Sequence, residues 1–258
     1  MAGTRFQFGS GTLYGIPNGG NLSSGALSGA GTTPRKFGTL QGVEIDFAIT
    51  QKDLIGQNLF PDDVAVASIK ITGKAKIGQV DTRIFNDLVF GQVMTAGLKD
   101  ANTEATDTVP TTPFQVTAAP PASGIYVSDL GVFDNNLGDY LVQVASGPTT
   151  GQYSVTIATG IYLFAAADSG HVIQISYVYS VAASGSHLAV TNQPQGYSPV
   201  FQVVLKQSYE AKDLTLVLYQ CKAAKLTLPT KAAEYVIPEL DFAAYQNASG
   251  QVFDWYQS

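Results

Sequence analysis

The chain of 258 residues carries a formal net charge of −6, and charged residues make up 13% of it, against roughly 25% in typical globular proteins. Because it lacks a basic run, tight binding to nucleic acid through phosphate neutralisation is not expected. No apolar run reaches the length of a helical membrane span, and no signal-peptide pattern is visible. The low content of charged residues indicates a surface that is covered by partner protein.

The first third of the chain predicts an arm followed by two strands. Residues 1–40 are rich in Gly, Ser and Thr, which predicts an arm that is either flexible or extended along another surface. Residues 43–50 alternate as in a half-buried strand, with Ile49 on the apolar face. The segment 64–80 predicts a second, unusually long strand, in which Gly73 marks a bend or bulge.

The connection predicted between these strands, Lys52–Asp63, is unusually apolar for a solvated loop. Its large apolar side chains need a cover, because exposure to water is unfavourable. Either they pack under the sheet of their own chain, or a second protein surface covers them. The candidate contact residues are Lys52, Asp53, Leu54, Ile55, Leu59 and Phe60.

Lysines line one face of the second strand, opposite an apolar face that includes Ile69 and Ile71. Lys70, Lys74 and Lys76 share the polar face in a chain of net negative charge. Three interpretations remain open: a solvated or edge-protecting face, a contact with an acidic face of a neighbouring copy, and DNA binding, for which three lysines are a weak grip.

Residues 81–91 predict one short helix, because the spacing of apolar residues changes there from strand to helix. Asp81 is suited to cap the N-terminus of this helix, and Gly91 is suited to end it. The apolar stripe consists of Ile84, Phe85, Leu88 and Val89.

Two linker-like segments, 100–123 and 184–196, bracket a run of short strands and turns. The end of the chain predicts a hairpin about Asn247–Gly250. The predicted organisation is an N-terminal arm (1–40), a discontinuous β domain (41–110 and 185–258) and an inserted β module (111–184).

No pattern indicates an enzyme. His171 and His187 lack the spacing of a zinc site, and the turn at 134–139 departs from the register of a calcium loop. Cys221 lies in an apolar strand-like run and is expected to be a buried core thiol. We therefore assign no catalytic, cofactor-binding or metal-binding residue.

The order of elements resembles the major tail tube protein of long-tailed bacteriophages. Residues 34–91, with their strand, apolar connection, lysine-bearing strand and short helix, carry the resemblance. The segment LTLPTKAAEYVIPELDFAAYQNASGQV near the C-terminus supports it. The tyrosine-rich run GQYSVTIATGIYLFAAADSGHVIQISYVY also looks like modules of phage virion proteins.

The resemblance implies a mainly β fold: a tail-tube-type β-sandwich with one short flanking helix. The inserted small β module, 111–184, departs from the family pattern and is expected to project outward, because an insertion into the lumen would obstruct DNA. It implies that six copies join into a ring through continuous sheet pairing, and that rings stack into a conduit for DNA ejection. The implied partners are further copies of the chain and the tape measure, terminator and distal tail proteins, while DNA passes without specific binding. The implied location is the virion tail, after synthesis in the bacterial cytoplasm.

In that family the loop between the second and third strands reaches into the adjacent ring. The resemblance therefore implies that Lys52–Asp63 is the stacking loop. Lys70, Lys74 and Lys76 are candidates for charge contacts with a neighbouring subunit on the strength of their shared face alone. Two other classes of protein remain open: a head decoration or head–tail joining protein, and a carbohydrate-binding β-sandwich that stacks sugars on Trp255 or on tyrosines.

Overall fold

A computed structural model of the chain describes residues 9–17, 33–57 and 59–258. These residues are mainly β with one short helix, which confirms the predicted fold class at that level. The chain divides into two units, Met1–Met94 with Leu188–Ser258 and Thr95–His187.

The strands in chain order are β1 (Thr12–Pro17), β2 (Arg35–Lys36), β3 (Leu40–Leu54), β4 (Asp63–Ile77), β5 (Met94–Thr95), β6 (Leu98–Thr103), β7 (Asp107–Thr108), β8 (Gln115–Thr117), β9 (Ile125–Asp134), β10 (Asp139–Tyr140), β11 (Val142–Gln143), β12 (Gln152–Thr156), β13 (Ile161–Phe164), β14 (Val172–Val181), β15 (His187–Leu188), β16 (Phe201–Tyr209), β17 (Lys212–Thr227), β18 (Glu239–Tyr245) and β19 (Phe253–Gln257). The helical segments are α1 (Thr82–Phe85), which continues as a π-helical turn over Asn86–Phe90, and two 3-10 turns, Pro121–Ser123 and Ala166–Asp168.

One eight-stranded sheet builds the first unit, in the order β2-β1-β16-β17-β18-β4-β3 with β19 beside β17. Alternation along these strands places apolar side chains on one face, where they form a single core together with α1. The largest fully buried members are Leu13, Phe37, Ile77, Leu88, Phe201, Leu218, Leu240 and Phe242.

The predicted N-terminal arm lies only partly within the described residues, because 1–8 and 18–32 are outside them. β1 pairs with β16 and β2 pairs with β1. Leu13 and Phe37 are fully buried in the core. The prediction of an arm through residue 40 is therefore wrong at these two strands, because a composition averaged over forty residues conceals short apolar segments.

The short helix has the predicted ends. The Asp81 side chain accepts a hydrogen bond from the backbone N–H of Arg83 at 2.8 Å, and Gly91 ends the helical segment with a φ of +62°. Of the predicted stripe, Ile84, Phe85 and Leu88 are buried and Val89 is half-buried against the same core.

The predicted hairpin about Asn247–Gly250 is wrong, although the turn itself is present. β18 pairs with the second half of β17 and β19 pairs with the first half, each in an antiparallel sense. β18 and β19 therefore follow one another along one edge of β17 and run in the same direction. The two strands of a hairpin run in opposite directions and pair with each other. Because β17 has 16 residues, one of its edges is long enough for both strands.

Of the predicted bend or bulge at Gly73, the bulge is wrong, since β4 pairs with β18 in unbroken register on both sides of this residue. A Cβ at this position would overlap the ring of Phe242 and would lie 3.0 Å from Cδ1 of Ile45. Glycine is required here so that the phenylalanine ring can pack across β4.

Replacing Gly73 with valine is expected to lower the free energy of unfolding by about 1–3 kcal/mol or more, because it overpacks the core. Urea unfolding followed by the fluorescence of Trp255, the single tryptophan, measures this. Gly42→Val in β3 is the matched control, because a Cβ at Gly42 meets no atom within 4 Å. Equal stability of the two variants would contradict the packing role of Gly73.

The second unit is a two-sheet sandwich. One sheet has five strands, in the order β10-β9-β14-β6 with β7 beside β14, and the other has four, in the order β11-β12-β13-β8. Side chains from both sheets form one core, which includes Val132, Ile175, Tyr177, Tyr153, Tyr162 and Phe164. β6 and β7 belong to this unit, so the first domain ends earlier than the predicted boundary at residue 110.

A half-buried carboxylate organises tyrosines of the second unit. Asp129 accepts hydrogen bonds from the hydroxyl of Tyr153 at 2.5 Å and from that of Tyr162 at 2.8 Å. The hydroxyls of Tyr126 and Tyr162 lie 3.0 Å apart. Because buried polar groups need partners, this network makes it possible to bury the tyrosine rings completely.

The same network predicts a loss of stability at alkaline pH. Burial raises the pKa of Tyr153 and of Tyr162 above the usual value of 10. The hydrogen bond with Asp129 raises the pKa of Tyr153 further, and the hydrogen bonds with Tyr126 and then Asp129 do the same for Tyr162. Their contribution to stability is complete below pH 10 and is lost as the pH rises, because only the unfolded chain then ionises these phenols.

We expect the two tyrosines together to lower the free energy of unfolding by about 2.7 kcal/mol per pH unit above pH 10. Urea unfolding at a series of alkaline pH values measures the slope. The variant Tyr153→Phe with Tyr162→Phe is expected to lose that part of the slope. An unchanged slope in this variant would show that these phenols ionise in the folded protein as well.

Candidate self-assembly surface

The hairpin of β3 and β4 extends beyond the rest of its sheet. β18 pairs with β4 only from Ile71 to Lys76, so the outer half of the hairpin has no third strand among the described residues. Every described residue from 48 to 70 is exposed, and we name this segment the projecting hairpin. A segment of this length exposed on both faces does not contribute to the core of its own unit.

Four large apolar side chains lie at the tip of the projecting hairpin. The exposed fraction is 63% for Leu54, 70% for Ile55, 94% for Leu59 and 77% for Phe60. The alternative that they pack under their own sheet is therefore wrong. Within the described residues, none of these four side chains is covered by the fold of the chain itself.

The strands reach further into the tip than the sequence predicted. β3 continues to Leu54 and β4 begins at Asp63, so Lys52 and Asp53 are strand residues and the connection is 55–62. The N–H of Asp62 donates to the carbonyl of Leu54 at 2.8 Å and closes the loop.

The stem of the projecting hairpin has an apolar face of its own. Ile49 pairs with Ile69, and beyond a bulge at Ala67 the register places Val66 and Val64 on the same face. All four aliphatic side chains are about half exposed or more. The sequence assigned Ile49 and Ile69 to the core side, because alternation identifies a face and not what covers it.

Two of the predicted lysines have an acidic partner within their own chain. Nζ of Lys76 lies 3.1 Å and Nζ of Lys74 lies 3.8 Å from the carboxylate of Glu239 on β18. The hydrogen bond with Lys76 lowers the pKa of Glu239. The register also places Glu44, Lys74 and Asp241 side by side across three strands. These acidic residues of the same chain neutralise the charges of Lys74 and Lys76, so neither lysine needs an acidic partner on a neighbouring copy.

Lys70 differs from the other two lysines, because it lies on the projecting hairpin opposite Ala48. It is fully within the exposed segment. Of the three candidate residues for a charge contact with a neighbouring subunit, Lys70 is therefore the one on the surface that remains to be covered.

Of the remaining candidate residues, His171 has a structural partner and Cys221 lies in the core. Nδ1 of His171 lies 2.7 Å from the fully buried Asp134, which also accepts hydrogen bonds from the backbone of the 134–139 turn. Cys221 is fully buried, and burial raises the pKa of its thiol to about 12. Trp255 on β19 is half exposed. No cluster of His, Cys, Asp or Glu suited to a metal occurs in the part of the chain that the structure describes.

No known family model matches this chain, and no curated protein matches it. None of the helices within the described ranges is long and apolar enough to cross a membrane.

Proposed function

We propose that this chain is a structural subunit that assembles with copies of itself into stacked rings, forming the tail tube of a long-tailed bacteriophage. The observation that carries the proposal is the projecting hairpin, whose apolar tip and stem are exposed among the residues that the structure describes. A large exposed apolar patch is typical of a surface that binds another protein, a membrane or a ligand. The resemblance of residues 34–91 to tail tube proteins is the reason for proposing stacked rings as the form of the assembly.

The apolar area of the projecting hairpin suits one side of a stable interface. Burying one such side chain stabilises by about 1.5–3 kcal/mol, which corresponds to about 60–120 Å² of apolar surface. Eight of them, each about two-thirds exposed on average, offer about 300–650 Å². A standard interface takes about 800 Å² from each partner, of which about 450 Å² is apolar.

The sheet also offers free edges for joining copies side by side. β3 is the last strand at one end of the sheet and β2 is the last at the other end, within the described residues. Unpaired backbone groups at such edges are templates for pairing with another chain. Edge pairing would join copies within a ring, and the projecting hairpin would join one ring to the next.

The charge of the chain is compatible with a conduit for DNA. Six copies at −6 each carry −36 per ring. A negatively charged tube wall does not bind the phosphates of DNA, so DNA can pass through the tube without being bound.

Negative-stain electron microscopy of the purified chain over a series of concentrations tests the proposal. Hollow filaments or six-fold rings are the expected result. A dispersed monomer at every concentration contradicts it. Binding only to capsids would favour a decoration or joining protein, and retention of a monomer on a glycan column would favour a carbohydrate-binding protein.

A further inference from the structure

A second apolar surface lies on the first unit, between the end of the helical segment and the end of β17. It is an open groove lined by Val89, Phe90, Ala223, Lys225, Leu226 and Leu228. Val89, Phe90 and Leu226 are half-buried, whereas Leu228 and Lys225 are exposed. A bulge in β17 between Ala223 and Lys225 interrupts its pairing with β18 beside the groove. We name this surface the β17 groove.

The β17 groove and the tip of the projecting hairpin lie at opposite ends of the same sheet. The register places Leu226 beside Leu240, and Leu240 beside Ala75 of β4. Ala75 is near the end of β4, while the tip of the hairpin precedes Asp63 at its start. Asp63, next to the tip, and Ala75, at the level of the groove, are twelve residues apart on β4. At about 3.3 Å per residue, this corresponds to about 40 Å along the strand. The tip therefore cannot reach the groove of its own chain.

The two surfaces match in chemistry. The tip presents the exposed apolar side chains of Leu59 and Phe60, and the groove presents apolar walls. The exposed residues Asp62 and Asp63 follow the tip, and the exposed residue Lys225 is among those that line the groove. Apolar surfaces with opposite charges at their margins favour one orientation of contact.

We propose that the β17 groove receives the tip of the projecting hairpin from a second copy of this chain. This inference rests on the proposed function and adds the acceptor surface to it. Because donor and acceptor are different patches at opposite ends of the unit, the contact is head-to-tail, and such a contact extends a filament where its rotation does not close a ring. Growth of the tube then depends on one contact made by every subunit.

Cysteine cross-linking tests the contact directly. Leu59→Cys and Leu228→Cys are combined in one chain, and the assembled protein is treated with a short bis-maleimide. Cys221 is fully buried, so it is not expected to react with the bis-maleimide. A ladder of covalent oligomers is expected, and a chain with Leu59→Cys and Leu137→Cys is the control that should give none. Tubes that form without a cross-link between positions 59 and 228 overturn the acceptor assignment and leave the proposed function intact.

A matched pair of substitutions gives an independent measurement. Leu228 in the groove and Leu137 in the second unit are each 53% exposed. Leu228→Asp is expected to raise the critical concentration for tube growth at least tenfold, whereas Leu137→Asp leaves it unchanged. Equal critical concentrations for both variants overturn the inference. If the unmodified chain forms no tubes at all, the proposed function fails, and the acceptor assignment fails with it.

Discussion

Replacing Leu59 and Phe60 together with aspartate is expected to leave a folded subunit that forms no long tubes. Both side chains are exposed in the single chain, so the substitutions cost the fold little. In the assembly, each lost side chain removes about 1.5–3 kcal/mol of burial, or about 3–6 kcal/mol for both. Since 1.4 kcal/mol is tenfold in affinity, each contact weakens by about 100-fold or more.

Electron microscopy and sedimentation of the variant measure this effect, and circular dichroism shows whether the subunit is folded. The variant Leu130→Asp with Leu137→Asp is the control, because both leucines are about half exposed but lie outside the projecting hairpin. It is expected to form tubes as the unmodified chain does. Long tubes of the Leu59→Asp, Phe60→Asp variant would show that the tip is not the stacking contact.

Asp129→Ala is expected to be the most destabilising single substitution in the tyrosine network of the second unit. It removes a carboxylate that accepts hydrogen bonds from two buried phenols and from the N–H of Gly131 at 3.0 Å. Hydrogen bonds to a charged group contribute about 1.5–3 kcal/mol each, and a buried donor left without a partner carries a further cost. We expect a loss of about 3–5 kcal/mol in the free energy of unfolding.

Urea unfolding followed by the near-ultraviolet circular dichroism of the tyrosines measures this loss. Asp100→Ala is the control, because the carboxylate of Asp100 is exposed and accepts a hydrogen bond from the adjacent N–H of Ala101. This control is expected to change stability by less than about 0.5 kcal/mol. If both variants unfold at the same urea concentration, Asp129 does not organise the core.

Local features of the fold were predictable from the sequence, because short-range chemistry determines them. Alternation located β3 and β4, and the pair Asp81 and Gly91 located the ends of the helix. The register of β19 was not predictable, since a turn at Asn247–Gly250 is compatible with a hairpin and with two strands sharing one edge of β17. Only the length of β17 decides between these arrangements.

The candidate site was predictable in its residue types and not in its extent. Four apolar residues in a connection at 54–60 already pointed to a surface that needs a cover. The aliphatic face of the stem was missed, because alternation cannot show that β18 ends at the level of Ile71. The ion pairs of Lys74 and Lys76 with Glu239 join residues more than 160 positions apart, and no local pattern indicates such a pair.

A helical reconstruction of the assembled chain by electron cryo-microscopy tests the central claim most directly. The claim predicts stacked rings in which Leu59 and Phe60 are buried against a neighbouring copy. Tubes in which both side chains remain in solvent, or a chain that stays monomeric at every concentration, would contradict it.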